Sequence, residues 1–279
     1  MQTTSERAKF WRVPELELLH ATYITHSFAP HAHEGYAIGV VSQGVETFRY
    51  RGATHRASRG AVVLVNPGEV HTGYAETASG WTYHMYYPEV STLEAVGLSV
   101  GLHSTPFFPQ AVVRDAALAR LMLSTHASLE RPASQLERDE TLQTMWSALL
   151  KRHADGRSRV TLSRPRHDSS AISAVYDYLE ANFAHNTSLE TLSQLSGLSV
   201  FHLTRSFKQR YGLPPHALQT QTRLRHARRQ LLEGKAISAV ALEAGFSDQA
   251  HLTRQFKRVY GVTPAVYVRG GQRKNVQDP

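Results

Sequence analysis

The spacing of apolar positions changes character along the chain. Between residues 16 and 88 they come in short runs: Val40 and Val41, then 45–50, 61–65 and 81–87. The runs are rich in β-branched and aromatic residues and are separated by Gly, Pro, Asn and Ser, which predicts strands and turns. Strands this short, with no helical pattern between them, predict an antiparallel barrel or sandwich. Side chains alternate along a strand, so Trp81, Tyr83, Met85 and Tyr87 share one face and Thr82, His84 and Tyr86 the other. After a loop holding Pro106 and Pro109 the period lengthens. Leu118, Leu121, Met122 and Leu129 form one helical stripe, and Leu142, Met145, Trp146 and Leu149 form another. Two such helices can pack on the barrel or on a second subunit.

Residues 154–168 hold Gly, Pro and four Arg with few large apolar groups, the composition of a flexible linker. Helical spacing then returns over 169–183, with Ile172, Val175, Tyr176 and Leu179 as its packing face. Beyond it the chain carries one stretch twice. Residues 202–212 read HLTRSFKQRYG and residues 251–261 read HLTRQFKRVYG. Each copy is preceded by a short apolar helical pattern and a glycine turn, LETLSQLSGLS and ISAVALEAGFS. Helix, tight turn and second helix is the pattern whose second helix enters the DNA major groove.

The faces of these second helices sharpen the reading. In the first copy Val200, Leu203, Phe207 and Tyr211 fall on a packing side, and Phe201, Thr204, Arg205 and Lys208 on the other. In the second copy Leu252, Phe256 and Val259 pack, while Gln249, Ala250, Arg254 and Lys257 look outward. Arg and Gln can bond base edges bidentately, and Lys suits phosphate. The bland alternative for a single copy is a solvated basic face, and repetition weighs against it. Thr187 to Glu190 fits a capping box opening the first motif, and Ser199 reads as the next N-cap. A helix predicted over 215–233 joins the motifs. At 1.5 Å per residue it spans about 28 Å, against about 34 Å for one turn of DNA.

Charge is placed to match. Residues 1–165 carry sixteen Lys/Arg against fifteen Asp/Glu, and residues 166–279 carry fifteen against eight. Only the second part is built to meet a polyanion. The absence of cysteine excludes disulfides, cysteine-ligated metal centres and a cysteine nucleophile. The first residues are too polar and charged for a secretory signal, and no apolar run approaches the roughly 20 residues of a membrane span. A cytoplasmic protein with no membrane partner is expected.

The strand region carries the remaining chemistry. PHAHEG supplies His31, His33 and Glu34, and NPGEVH supplies His71. H-x-H, a later Gly-led strand at Gly60 and then P-G-x-x-H together resemble the cupin fold. In metal-binding cupins such histidines join a glutamate that comes several residues later. Here Glu34 is adjacent, and the later positions are Tyr36, Ala37 and Ile38, so no metal is expected. The expected site is an effector pocket inside the barrel, lined from among His33, Tyr36, His71, Trp81, Tyr83 and Met85. Aromatic walls with a few hydrogen-bonding tips suit a small polar molecule.

Residues 169–269 resemble the DNA-binding domain of the AraC/XylS family of bacterial transcription regulators. The match is carried by LSGLSVFHLTRSFKQRYG, RLRHARRQLLEGKAIS and ALEAGFSDQAHLTRQFKRVYGVTP. The barrel with PGEVH resembles the effector-binding half of arabinose-type members. The resemblance implies base contacts from Phe201, Thr204 and Arg205, and from Gln249, Ala250, His251 and Arg254, with Lys208 and Lys257 on phosphate. Tyr83 and Met85 match ligand-facing positions, and Met85 stands where a tryptophan often serves. The expected architecture is therefore α+β in two domains. A cupin-like antiparallel β-barrel with following helices (1–153) and a linker (154–168) precede an all-α domain with two helix-turn-helix motifs joined by a long helix (169–279). The expected protein is no enzyme and needs no cofactor. Its expected partners are double-stranded DNA, a sugar- or amino-acid-type effector, a second copy in a homodimer and RNA polymerase. The competing reading is a metal-dependent cupin enzyme fused to a DNA-binding domain. A DNA-repair alkyltransferase, another relative of this domain, is excluded because it needs a cysteine.

Overall fold

The computed structural model describes residues 5–131, 133–155 and 169–271. The chain forms two compact units, one within residues 1–160 together with 269–279, the other within 161–268. From residue 156 on, the linker expected at 154–168 lies outside the described residues.

The first unit is an antiparallel barrel organised on one long strand. In chain order its strands are β1 (Arg7–Val13), β2 (Leu16–Tyr23), β3 (Ser27–His31), β4 (Ala37–Tyr50), β5 (Ala53–Ser58), β6 (Val62–Val65), β7 (His71–Ala75), β8 (Trp81–Pro88) and β9 (Val112–Val113). Pairing runs β1-β2-β8-β4-β6-β9, while β4 also pairs with β5 and β7, and β7 with β3. The sequence suggested a break at 42–44. Instead β4 runs through, and its register on β8 shifts between Val41 and Gln43. Such a bulge bends a strand and deepens its twist. The first half of β4 therefore pairs with β6 and β8, and the second half with β5 and β7. Gly44 sits at the bend with φ +69, where a Cβ would meet the backbone of Gly80 and Trp81.

Helices α1 (Val90–Ser99), α2 (Ala116–Ser128) and α3 (Gln135–His153) cover one face of the sheet. Their Leu93, Leu118, Met122, Met145, Trp146 and Leu149 form one core with Leu18, Ile38, Val40, Leu64 and Tyr86. Burying each such side chain stabilises the unit by about 1.5–3 kcal/mol. The two expected helical stripes are thus covered by this unit's own sheet. α1 was not foreseen, because its apolar residues lack a sustained stripe.

The second unit is helical: α4 (Ser169–Ala181), α5 (Leu189–Ser196), α6 (Val200–Tyr211), α7 (Pro215–Leu232), α8 (Ile237–Glu243), α9 (Gln249–Tyr260) and the start of α10 (Pro264–Gly271). Ile172, Val175 and Leu179 of α4 pack with Leu192, Leu203 and Phe207, closing the core of the first motif. The cap of α5 is Ser188, which accepts from the amide of Thr191 at 3.1 Å, rather than Thr187. Thr187 instead accepts from the Gln219 side chain of α7. Among the described residues no helix is long and apolar enough to cross a membrane.

Candidate functional site

The two second helices are both capped by a side chain at the start and end on the same glycine turn. Ser199 Oγ accepts from the amide of His202 at 3.3 Å, and Asp248 Oδ1 accepts from that of His251 at 2.6 Å. Each cap satisfies an amide the helix leaves unpaired. Gly212 and Gly261 close α6 and α9 with the same φ of +74 and the same 2.8 Å bond to the carbonyl of Lys208 or Lys257. α7 is fastened to α4 and to the loop that leads into the first motif. Arg223 Nε donates to Phe183 O at 2.7 Å, Gln219 Nε2 to His185 O at 2.8 Å, and Arg225 is ion-paired with Glu180. α7 also packs against α8 and α9. At 18 residues it is one shorter than expected, Glu233 serving as its C-cap. The two second helices are thus joined by one helix that touches both motifs.

Their outward faces are basic and open. Arg205, Lys208, Gln249, Ala250, Arg254 and Lys257 are exposed. Among the described residues no ion pair holds Arg205, Lys208, Arg254 or Lys257. Phe201 is 76% exposed, a large apolar surface left to solvent at the start of α6. Thr204 is half-buried, and its hydroxyl donates to Val200 O at 2.8 Å, so its methyl and a lone pair remain for a partner. His251 is turned against the Phe246 ring and lies 3.2 Å from Ser247 Oγ through Nδ1. Val200, expected to pack, is exposed instead. It stands on the first turn, ahead of the point where Leu203 and Phe207 enter the core.

In the barrel, the alternation of β8 divides its side chains as expected. Trp81, Tyr83 and Met85 face the interior, where the Trp81, Tyr83 and Tyr23 rings lie 5.3–5.9 Å apart. Phe28 closes on Tyr23 edge-on at 5.4 Å. Burial pushes the Tyr23, Tyr83 and Tyr87 hydroxyls well above the usual phenol range. His84 faces the other way, its Nδ1 3.2 Å from that of His126 on α2. Tyr36 also belongs to that other side, which corrects its expected place in the pocket. Its ring lies in the core under the helices and its hydroxyl donates to Pro106 O. The turn before β4 shifts Tyr36 into phase with Ile38 and Val40.

His31, His33 and His71 do come together, with ligating nitrogens within 4.8 Å of one another. His31 Nδ1 lies 2.7 Å from Ala29 O, and His71 Nδ1 3.2 Å from Glu69 O, so Nε2 of each is the atom left to bind. Burial holds both rings neutral, His31 down to about 4 and His71 to about 3. Three gathered imidazoles fit a borderline metal ion. Glu34 is not part of the group.

One interior residue escaped the sequence reading. Glu46 on β4 is buried, and among the described residues no donor reaches its Oε2. Burial raises its carboxyl to about 8. Period two was the available signal, since Phe48 and Tyr50 are buried at alternate positions of the same strand.

Residues 13–145 match the model of the AraC-like ligand binding domain, and residues 192–270 match that of a helix-turn-helix domain. The chain belongs to the AraC family. It is a DNA-binding transcription regulator that responds to an effector. It is 28% identical over 233 residues to the HTH-type transcriptional regulator YbfI of Bacillus subtilis (strain 168), covering 82% of each chain. It is 25% identical over 236 residues to the HTH-type transcriptional activator RhaS of Enterobacter sp. (strain 638), covering 81% of this regulator and 82% of RhaS. Its fold is that of ToxT from Vibrio cholerae, with a TM-score of 0.55 at 11% identity, over 94% of this chain and 100% of ToxT.

Proposed function

We propose that α6 and α9 read two stretches of one duplex, and that the inner face of the barrel binds a small polar organic effector. The observation that carries the first part is the pair of second helices with open basic faces, joined by one helix of about 27 Å. Arg205, Arg254 and Gln249 are assigned to base edges, Lys208 and Lys257 to phosphates, and Phe201 and Ala250 to apolar contact such as a thymine methyl. Thr204 and His251 complete the contact surface. His33, His71, Trp81, Tyr83 and Met85 are assigned to the effector. The regulator works in the cytoplasm as a homodimer, catalyses no reaction and acts on transcription with RNA polymerase as a further partner. The residue ranges are 1–153 for the effector half, 154–168 for the linker and 169–279 for the DNA-binding half. Titrating a labelled duplex with the full chain at several salt concentrations tests the DNA half. Affinity should fall linearly in log–log form as counterions are released, and a flat salt response would contradict the assignment.

A second reading rests on the gathered His31, His33 and His71, which would hold a transition metal in a cupin-type enzyme. Elemental analysis of protein loaded with iron, manganese or zinc and then desalted separates the two. Stoichiometric metal lost in His71→Ala supports it, and no retained metal disposes of it.

A further inference from the structure

Glu46 sets the chemistry of the barrel interior. Its carboxylate lies beside Gly73 and Phe28: a Cβ on Gly73 would stand 3.2 Å from Glu46 Oε1 and 3.2 Å from the Phe28 ring. It is close enough to Tyr83 and Tyr87 for its charge to act on both hydroxyls. Phe28 in turn meets Tyr23 and, at 6.5 Å, Trp81. Trp81 Nε1 is itself buried with no hydrogen-bond partner among the described residues. An acid thus lies among aromatic residues, and among the described residues no ion pair or hydrogen-bond donor reaches its Oε2.

A buried carboxyl without a partner is costly, and it either stays protonated or takes a counter-charge. The rings favour the second outcome, because the faces of Trp, Tyr and Phe attract cations. We infer that the effector is an organic cation, its ammonium seated on Glu46 within the ring set of Tyr23, Phe28, Trp81 and Tyr83. This rests on the effector reading and narrows its ligand class. A primary ammonium satisfies the carboxylate in both charge and hydrogen bonding, and a quaternary one in charge alone. A sugar hydroxyl supplies only the hydrogen bond. A metal ion would be drawn to the histidine group, which does not include Glu46.

The test uses the full chain and pairs of ligands matched in shape. Choline is compared with 3,3-dimethylbutan-1-ol, and tyramine with 4-propylphenol, by calorimetry and thermal shift at pH 7.5. Arabinose and glucose serve as neutral controls. At least one ammonium compound should bind tenfold or more tightly than its neutral isostere. Glu46→Gln should erase that preference, and Trp81→Phe should weaken binding while keeping it. The melting temperature of ligand-free Glu46→Gln, expected at or above that of the unsubstituted chain, guards against misfolding. Equal binding of cation and isostere, a preference that survives Glu46→Gln, or no binding of either ammonium compound would overturn the inference. The same samples are assayed for DNA affinity. A sugar that binds and shifts that affinity ends the cation inference alone. If no ligand that binds the barrel shifts it, the effector reading fails as well.

Discussion

Arg223, in the middle of α7, donates through Nε to the carbonyl of Phe183 at 2.7 Å and through Nη2 to His185 O at 3.1 Å. One guanidinium thereby ties the connecting helix to the loop that leads into the first motif. Arg223→Ala leaves the Phe183 carbonyl without this donor, while His185 O keeps Gln219 Nε2, so the DNA-binding unit should lose about 2 kcal/mol. Urea unfolding followed by circular dichroism checks this. A loss near zero would mean that water replaces the side chain and that α7 is fastened mainly by its apolar face.

Base reading and phosphate anchoring should separate by mutation. Arg205→Ala and Arg254→Ala should each relax sequence preference, costing about 1–3 kcal/mol on the preferred duplex and little on others. Lys208→Ala and Lys257→Ala should weaken all duplexes alike and lower the salt slope by about one each. Competition binding against a random duplex distinguishes the two patterns. If the arginine variants lose affinity equally on every sequence, the faces have been assigned wrongly.

The buried titratable groups of the barrel act on stability in opposite directions. Burial holds His31 and His84 down to about 4, and His71 and His126 down to about 3. The unfolded chain takes up protons first, so their contribution is full above pH 6.5 and is lost as pH falls toward 3–4. Glu46 is raised to about 8, so its contribution is present below 4.5 and is lost as pH rises through 8. Glu46→Gln should therefore raise the melting temperature at pH 8.5 more than at pH 5. An equal change at both values would show that Glu46 ionises freely in the folded protein.

Much of this was legible in residue patterns, and the gaps have physical causes. The repeat from His202 to Gly212 and from His251 to Gly261 marked both motifs, because caps, turn glycines and core positions must recur where geometry recurs. The inner face of β8 followed from alternation alone. Tyr36 was misplaced because it stands in a turn, where period two has no phase until β4 begins. Glu46 went unseen because a lone acid in a strand usually faces water, and only pairing of β4 with both β5 and β7 shows that this one is enclosed. The nearness of His31, His33 and His71 was suggested by the two segments, but the His84–His126 contact joins a strand to a helix 42 residues away and left no local trace.

The coupling of effector to DNA should pass through Tyr83. Its ring packs on those of Trp81 and Tyr23, each at 5.9 Å. Tyr83→Ala should abolish the change in DNA affinity on adding effector while leaving effector-free DNA affinity within about twofold, since a ligand shifts an equilibrium only by its differential affinity. Retention of the full response would move the pocket elsewhere.

The central claim is that α6 and α9 read one duplex side by side, spaced by α7. Selecting preferred duplexes from a random pool with the full chain, then sequencing them, tests it directly. Two blocks of preferred bases should emerge with centres about 10–10.5 base pairs apart. Inserting five base pairs between the blocks should reduce affinity to that of a duplex carrying one block. A single block, or two blocks whose spacing can be changed without loss, would contradict the account.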